Sequence, residues 1–309
     1  MSMVVIGTVF VDIKGYPYGK YIPAGRNSGK VETVHGGVCR NIVEDIANVE
    51  LRPTFISTVE DTATGEDVLK KLNSHKVNTK YIRKAPDSMG TWLAVFDHTG
   101  DVVASISKRF DTSAIFDILK EQGDEIFREA DSILFEIDME PEMVSYIFNL
   151  AEKYSKPVYA VVSNMSIAVE RRDFLLRTDC FVCNIQEAGI LFSENYSKCS
   201  VDEMVQIAKD KVENAKIRAM VITMGSKGAV YASSTGEYGF CPALKVSVQD
   251  TTGAGDAFFA GVSIGLTYGK TLREACEIGT KLAAAVIITT DNVCPRFLPS
   301  EFGIDVEIE

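Results

Sequence analysis

Short apolar runs rich in β-branched residues recur along the chain, at residues 3–6, 54–59, 132–137, 158–162, 180–183, 219–223 and 229–232. Helical patterns fill most of the gaps, as with Val38, Ile42, Ile46 and Val49 at near-helical spacing and the stretch 143–153. A strand that is apolar on both faces has to be covered on both. The alternation therefore predicts an α/β protein built on a doubly wound, mainly parallel sheet with helices on either side. Several runs end in Gly, Asn or Asp, where such folds place their ligands. Two stretches break the rhythm. Residues 14–34 are rich in Gly, Pro and Tyr without a helical period, and residues 91–97 and 102–106 form a ribbon about the turn His98-Thr-Gly100. We read these as a small β lid, formed by about residues 13–34 and 88–109, inserted into one domain spanning residues 1–309. A lid would exclude water from a site beneath it.

The densest chemical pattern is Asp250-Thr-Thr-Gly-Ala-Gly-Asp-Ala-Phe-Phe-Ala-Gly261. Gly253 and Gly255 let the backbone approach a ligand closely. The helix expected over residues 254–266 turns its unpaired N–H groups and positive dipole end toward that turn, which makes an anion site. Asp256 is out of place beside a phosphate unless it takes a proton from the group attacking that phosphate. The combination points to phosphoryl transfer to a hydroxyl, with Asp256 as base and the turn cradling the developing charge. The plain alternative is a helix N-terminus with an ordinary acidic first-turn residue.

This segment resembles the C-terminal signature of the PfkB, or ribokinase-like, carbohydrate and nucleoside kinases. The resemblance implies a ribokinase-like three-layer fold, an enzyme using ATP and Mg²⁺, Asp256 as the catalytic base, and an anion hole made by the amides of Gly253, Ala254 and Gly255. A second segment, Gly36-Gly37-Val-Cys-Arg-Asn41, is similar to the sugar-binding motif Gly-Gly-x-x-x-Asn of the same family. Asn41 there offers both donor and acceptor to a polyol. Asp12, after the first run, matches the family's substrate-binding Asp.

Val-Asp-Ile-Lys-Gly15, Asn27-Ser-Gly-Lys30, Gly-Gly-Val-Cys-Arg-Asn-Ile-Val-Glu-Asp-Ile-Ala47 and Ser88-Met-Gly-Thr91 resemble the pseudouridine kinase branch in particular. On that likeness Asn27 and Thr91 join Asp12, Gly36, Gly37 and Asn41 as acceptor-binding residues, and the expected reaction is pseudouridine to pseudouridine 5′-phosphate. The chain departs from the branch at Phe10, where Asn is usual, and at Ile106-Ser-Lys108, where Ile-Asn-Asp is usual. It also lacks the usual Asp after the run at 158–162. These departures keep a free sugar, ribose or a ketohexose, open as acceptor.

On the nucleotide side, Asn184-x-x-Glu187 follows the run at 180–183. It resembles the family motif that positions magnesium through water, a role one Glu can fill because Mg²⁺ keeps most of its hydration. The alternative for the pair is a helix cap with a first-turn acid. Thr223-x-Gly225-x-x-Gly228 resembles the family's nucleotide loop, although Gly228 also reads as a hairpin glycine. Asp250 and Thr252 are candidates for a monovalent cation such as K⁺, as in relatives. Gly269-Lys270-Thr271 imitates a Walker A ending, but Ile264 stands where its first glycine should be, and no strand precedes it.

The remaining features exclude other classes. Asp and Glu outnumber Lys and Arg by 43 to 32 and no basic tract occurs, so neither nucleic acid nor an anionic membrane is an expected partner. Met3-Val-Val-Ile-Gly7 carries no leader pattern, and no apolar run approaches the roughly 20 residues of a membrane span, so a cytoplasmic protein is expected. The seven cysteines are scattered, and Cys180-x-x-Cys183 has no second pair, which fits structural thiols better than metal. His35, His75 and His98 form no metal spacing. A homodimer through the lid is a further expectation from the resemblance. A metabolite-sensing relative without catalysis would be expected to lack Asp256 or Glu187, and both are present.

Overall fold

The apolar runs pair into one nine-stranded sheet in the protein's computed structural model, which describes residues 1–98, 102–108, 110–162, 165–170 and 172–306. Thr99 and Gly100 of the expected turn, and the two positions after the run at 158–162, lie outside the described residues. The chain begins β1 (Met3–Ile6), β2 (Phe10–Pro17), β3 (Gly29–Gly36), α1 (Val38–Asn48), β4 (Thr54–Val59), α2 (Ala63–Ser74), β5 (Ile82–Lys84), β6 (Gly90–Phe96), β7 (Val102–Lys108). It continues α3 (Ser113–Glu129), β8 (Ser132–Glu136), α4 (Pro141–Tyr154), β9 (Val158–Val161), α5 (Met165–Glu170), α6 (Arg172–Leu175), β10 (Cys180–Asn184), α7 (Ile185–Phe192). The last third holds α8 (Val201–Ala215), β11 (Ala219–Thr223), β12 (Gly228–Ser233), β13 (Tyr238–Pro242), α9 (Ala254–Thr267) and α10 (Leu272–Ile287).

The large sheet runs β13-β12-β11-β10-β9-β8-β1-β4-β5. Its pairs are parallel except for the hairpins joining β11, β12 and β13. The alternation of side chains explains the two helical layers. In β1, Val5 packs into the core under α1, α9 and α10, while Val4 and Ile6 pack into the core under α3, α4 and α8. Each such fully buried Val or Ile stabilises the fold by roughly 1.5–3 kcal/mol. Chain connections leave β1 toward β4 and leave β8 toward β9, so strand order reverses between these neighbours. That reversal opens a crevice at their carboxyl ends, beside Gly7, Thr8 and Glu136.

The stretches that broke the sequence rhythm form a separate four-stranded sheet, β3-β2-β6-β7, rising from that crevice. Its register sets Asp12 opposite Val34 on one side and Trp92 on the other, and Val11 opposite Thr91.

Helix α1 departs from the amphipathic pattern its apolar spacing suggests, because its polar residues are buried too. The segment 292–297 straps across it. Cys294 donates its amide to Asp45 at 2.6 Å, Asn48 donates to the Cys294 carbonyl at 2.6 Å, and Phe297 donates its amide to the Asn48 carbonyl at 2.8 Å. Buried polar groups need such partners, and the strap supplies them. All seven cysteines are free thiols. No described helix is long and apolar enough to cross a membrane.

Candidate active site

Four chain segments meet at the crevice. β2 brings Asp12, the last residue of β3 and the cap of α1 bring Gly36 and Gly37, α1 brings Asn41, and the first turn of α9 brings Asp256. Gly37 caps α1 at φ 101°, and a Cβ there would stand 2.7 Å from the Thr8 carbonyl. Both the left-handed conformation and the contact demand glycine. The turn aims Asn41 across the crevice, where its Nδ2 donates to Asp256 Oδ2 at 2.7 Å. Asn41 Oδ1 is buried and has no protein partner among the described residues. Asp12 lies against Gly36, whose missing Cβ would fall 2.6 Å from the Asp12 carboxylate.

Electrostatics set the two carboxyls. Burial pushes Asp256 up to about 7, against the hydrogen bond from Asn41 and the charge of Arg40, with Asp12 adding to the rise. Asp12 is also raised by burial, while Lys14 and Arg40 draw it back. An acid poised near neutrality in a crevice suits proton transfer.

The expected phosphate side is the uncapped start of α9. Gly253 holds the N-cap position at φ 81° with no side-chain cap, and a Cβ would collide with the Asn292 carbonyl. Gly255 faces open space. The Ala254 amide is turned back to the Thr251 carbonyl at 3.2 Å, so Gly255 and Asp256 offer the first amides that α-helical geometry leaves without an intrahelical acceptor. Asp250 Oδ1 accepts the amide of Thr252 at 2.9 Å and its hydroxyl at 2.8 Å. Burial opposes the charge on Asp250, but these bonds and Lys14 hold its carboxyl below the usual range.

Along the sheet edge, Asn184 and Thr223 are register partners at the carboxyl ends of β10 and β11. Asn184 and Glu187 form a reciprocal capping box on α7, with Asn184 Oδ1 accepting the Glu187 amide at 2.9 Å and Glu187 Oε2 accepting the Asn184 amide at 2.7 Å. Burial raises the Glu187 carboxyl despite that last bond. Gly225 opens a 3-10 turn, and Gly228 starts β12 at φ 124° against the Cys241 carbonyl, in the hairpin role. Among the described residues no three His, Cys, Asp or Glu cluster as a metal site. Glu187 therefore fits only a magnesium ion that keeps water and phosphate as its other ligands.

Two expected acceptor residues do not join the cluster. Asn27 spends its amide on its own loop, accepting from the Ile22 amide at 2.8 Å and donating to the Ile22 and Gly25 carbonyls at 3.0 and 3.3 Å. Thr91 pairs with Val11 and so points to the face opposite Asp12, because successive strand residues alternate. Trp92, the only tryptophan of the chain, takes the Asp12 face instead. Phe10, Lys14 and Tyr16 share that face by alternation, with Phe10 edge-on to Phe110 at 5.1 Å and Tyr16 stacked on Phe96 at 4.7 Å.

Other residues at the site carried little sequence signal. Glu136, at the end of β8, accepts from the Cys39 amide at 3.3 Å and from the Thr8 hydroxyl at 3.1 Å, and burial and Asp138 push it up to about 7. Lys14 is 6% exposed and lies in the field of both Asp12 and Asp250. Arg40 is buried between His35, Glu44 and Asn292. An acid closing an apolar strand was the one available hint, at Glu136.

Comparison with known proteins bears on the family and the fold. The profile described as pfkB family carbohydrate kinase matches residues 1–293. A guanosine-inosine kinase from Exiguobacterium acetylicum is 33% identical over 293 residues, covering 94% of this chain and 96% of its own. A pseudouridine kinase from Escherichia coli (strain K12) is 26% identical over 280 residues, covering 88% and 87%. Among solved structures, Arabidopsis thaliana ribokinase complexed with ribose and ATP superposes with a TM-score of 0.80 at 19% identity, covering 95% of this chain and 96% of that one.

Proposed function

The chain belongs to the pfkB family of carbohydrate kinases, and from that premise we propose that it phosphorylates the 5′-hydroxyl of a ribonucleoside, a purine nucleoside ahead of pseudouridine. The observation that carries the reading is the meeting of Asp12, Asn41 and Asp256 beneath an aromatic face of the small sheet. A free sugar has little use for Trp92, Phe10 and Phe110, whereas a nucleobase gains stacking and edge contacts there. The relative at 33% identity is named for guanosine and inosine, and this moves the preference from pseudouridine to a purine.

In this proposal Asp12 and the unpartnered Asn41 Oδ1 bind ribosyl hydroxyls. Asp256 accepts the proton of the attacking hydroxyl as its oxygen bonds to the γ-phosphorus of ATP. The bond from that phosphorus to the β–γ bridging oxygen breaks, and ADP leaves. The α9 amides and Lys14 face the charge that develops. Kinases of this family use ATP and Mg²⁺, and the metal shields the phosphate charge. Asn184, Glu187, Thr223 and Gly225 would hold the nucleotide side, and Asp250 and Thr252 would hold a K⁺ ion. The small sheet acts as the lid, and a cytoplasmic setting suits both ATP and free thiols.

The test is an ADP-release assay with MgATP and inosine, guanosine, pseudouridine or ribose, paired with quenching of the single tryptophan. Turnover and quenching with the nucleosides are expected. Ribose alone turning over, without quenching, would replace the acceptor and keep the kinase. Equal rates in potassium and tetramethylammonium salts would remove K⁺ from the scheme.

A further inference from the structure

Arg40 is 1% exposed and lies between the two halves of the site. Through Nη2 it bonds the His35 carbonyl, immediately before Gly36 and Gly37, and it donates to Asn292 Oδ1 at 3.2 Å. Asn292 Nδ2 donates to the same His35 carbonyl at 2.8 Å, closing a three-membered knot. The carbonyl of Asn292 is the atom that forbids a side chain at Gly253. One residue along α1, Asn41 holds Asp256. We infer that Arg40 is a positioning residue for phosphoryl transfer, clamping the hinge of the small sheet to the loop that backs the α9 turn and so fixing Asp12 relative to Asp256.

Its fork suits the task, because a guanidinium spreads its donors over three nitrogens in one plane and so reaches a carbonyl, an amide oxygen and a carboxylate that lie apart, whereas the three donors of an ammonium radiate from a single nitrogen. Glu44, on Nη1, balances the buried charge and is itself faced by Lys71 at 3.1 Å and His75 at 3.7 Å. The charge of Arg40 also favours the ionised forms of Asp256 and Asp12. The groups facing Asp256 are Asp12 from β2 and Cys39, Arg40, Asn41 and Asp45 from α1.

The inference rests on the kinase reading but not on the identity of the acceptor. Its test uses the full chain with inosine, or with ribose if only ribose is turned over. Arg40→Lys is compared with Arg40→Met/Glu44→Gln, which removes both buried charges together. In the folded double variant the acid limb of kcat/KM should move to higher pH, because the charge of Arg40 favours the ionised form of Asp256. Its kcat/KM for the acceptor should fall at least ~10-fold through lost alignment. Arg40→Lys should keep the parental acid limb yet still lose kcat/KM, and tryptophan quenching should report weaker acceptor binding in both. Variants whose thermal midpoints fall while the acid limb, kcat/KM and quenching stay parental would overturn the inference. If the double variant fails to fold, parental kcat/KM in Arg40→Lys overturns it alone.

Discussion

Asp256 accepts one hydrogen bond from Asn41 and sits near neutrality, and both properties bear on how it would work. A base must be unprotonated, so kcat/KM should rise with pH through about 7 and level off above it. Asp256→Asn should lower kcat at least ~10²-fold without disturbing the fold, and full turnover in that variant would sink the role. Glu136 makes a different prediction. Its carboxyl is raised from 4.5 to about 7 in the folded state, so the native protein holds a proton that the unfolded chain releases. The resulting stability is present below the unfolded value and is lost as pH climbs through the folded one. Between about pH 5 and pH 8, Glu136→Gln should therefore gain roughly 3 kcal/mol on the parent in urea unfolding. A pH-independent difference would refute the buried-acid assignment. Asp256 could be read from sequence because its motif is contiguous. Arg40 and Glu136 could not, because their partners lie up to 252 residues away and no local pattern announces them.

The elements divide in the same way. The body strands were legible because apolar, β-branched runs have few other fates. Strand β13 was not, since Tyr238–Pro242 is largely accessible and pairs only at the sheet edge. The apolar spacing of α1 did not announce that its polar residues are buried too, beneath the strap at 292–297. At the start of α9, Gly253→Ala would force a left-handed residue into the Asn292 carbonyl. We expect a loss of roughly 1–3 kcal/mol in unfolding stability together with loss of turnover. On α7, Glu187→Gln separates a cap from a metal-linked role. Gln serves a capping box nearly as well as Glu, so stability should change by less than about 0.5 kcal/mol. The magnesium concentration needed for half-maximal rate should rise, and an unchanged requirement would leave Glu187 as a cap.

For the whole molecule, the register lines Ile13, Leu93 and Ile106 side by side on the face of the small sheet turned from Asp12. Leu93 is 40% and Ile106 69% exposed. This is the surface on which the proposed homodimer would form, and sedimentation of Ile106→Glu beside the parent should show a shift toward monomer if it does. The sequence marked this sheet as foreign to the α/β rhythm, but only pairing decides which of its side chains share the face of Asp12. One property of the site concerns the order in which it comes into being. Asn41 and Asp256 stand 215 residues apart, so a ribosome adding about 5–20 residues per second releases Asn41 roughly ten seconds or more before Asp256 exists. Until α9 and the strap have emerged, a nascent or prematurely ended chain lacks both the proposed base and the proposed phosphate-binding turn, and it would be unable to use them to spend ATP on water.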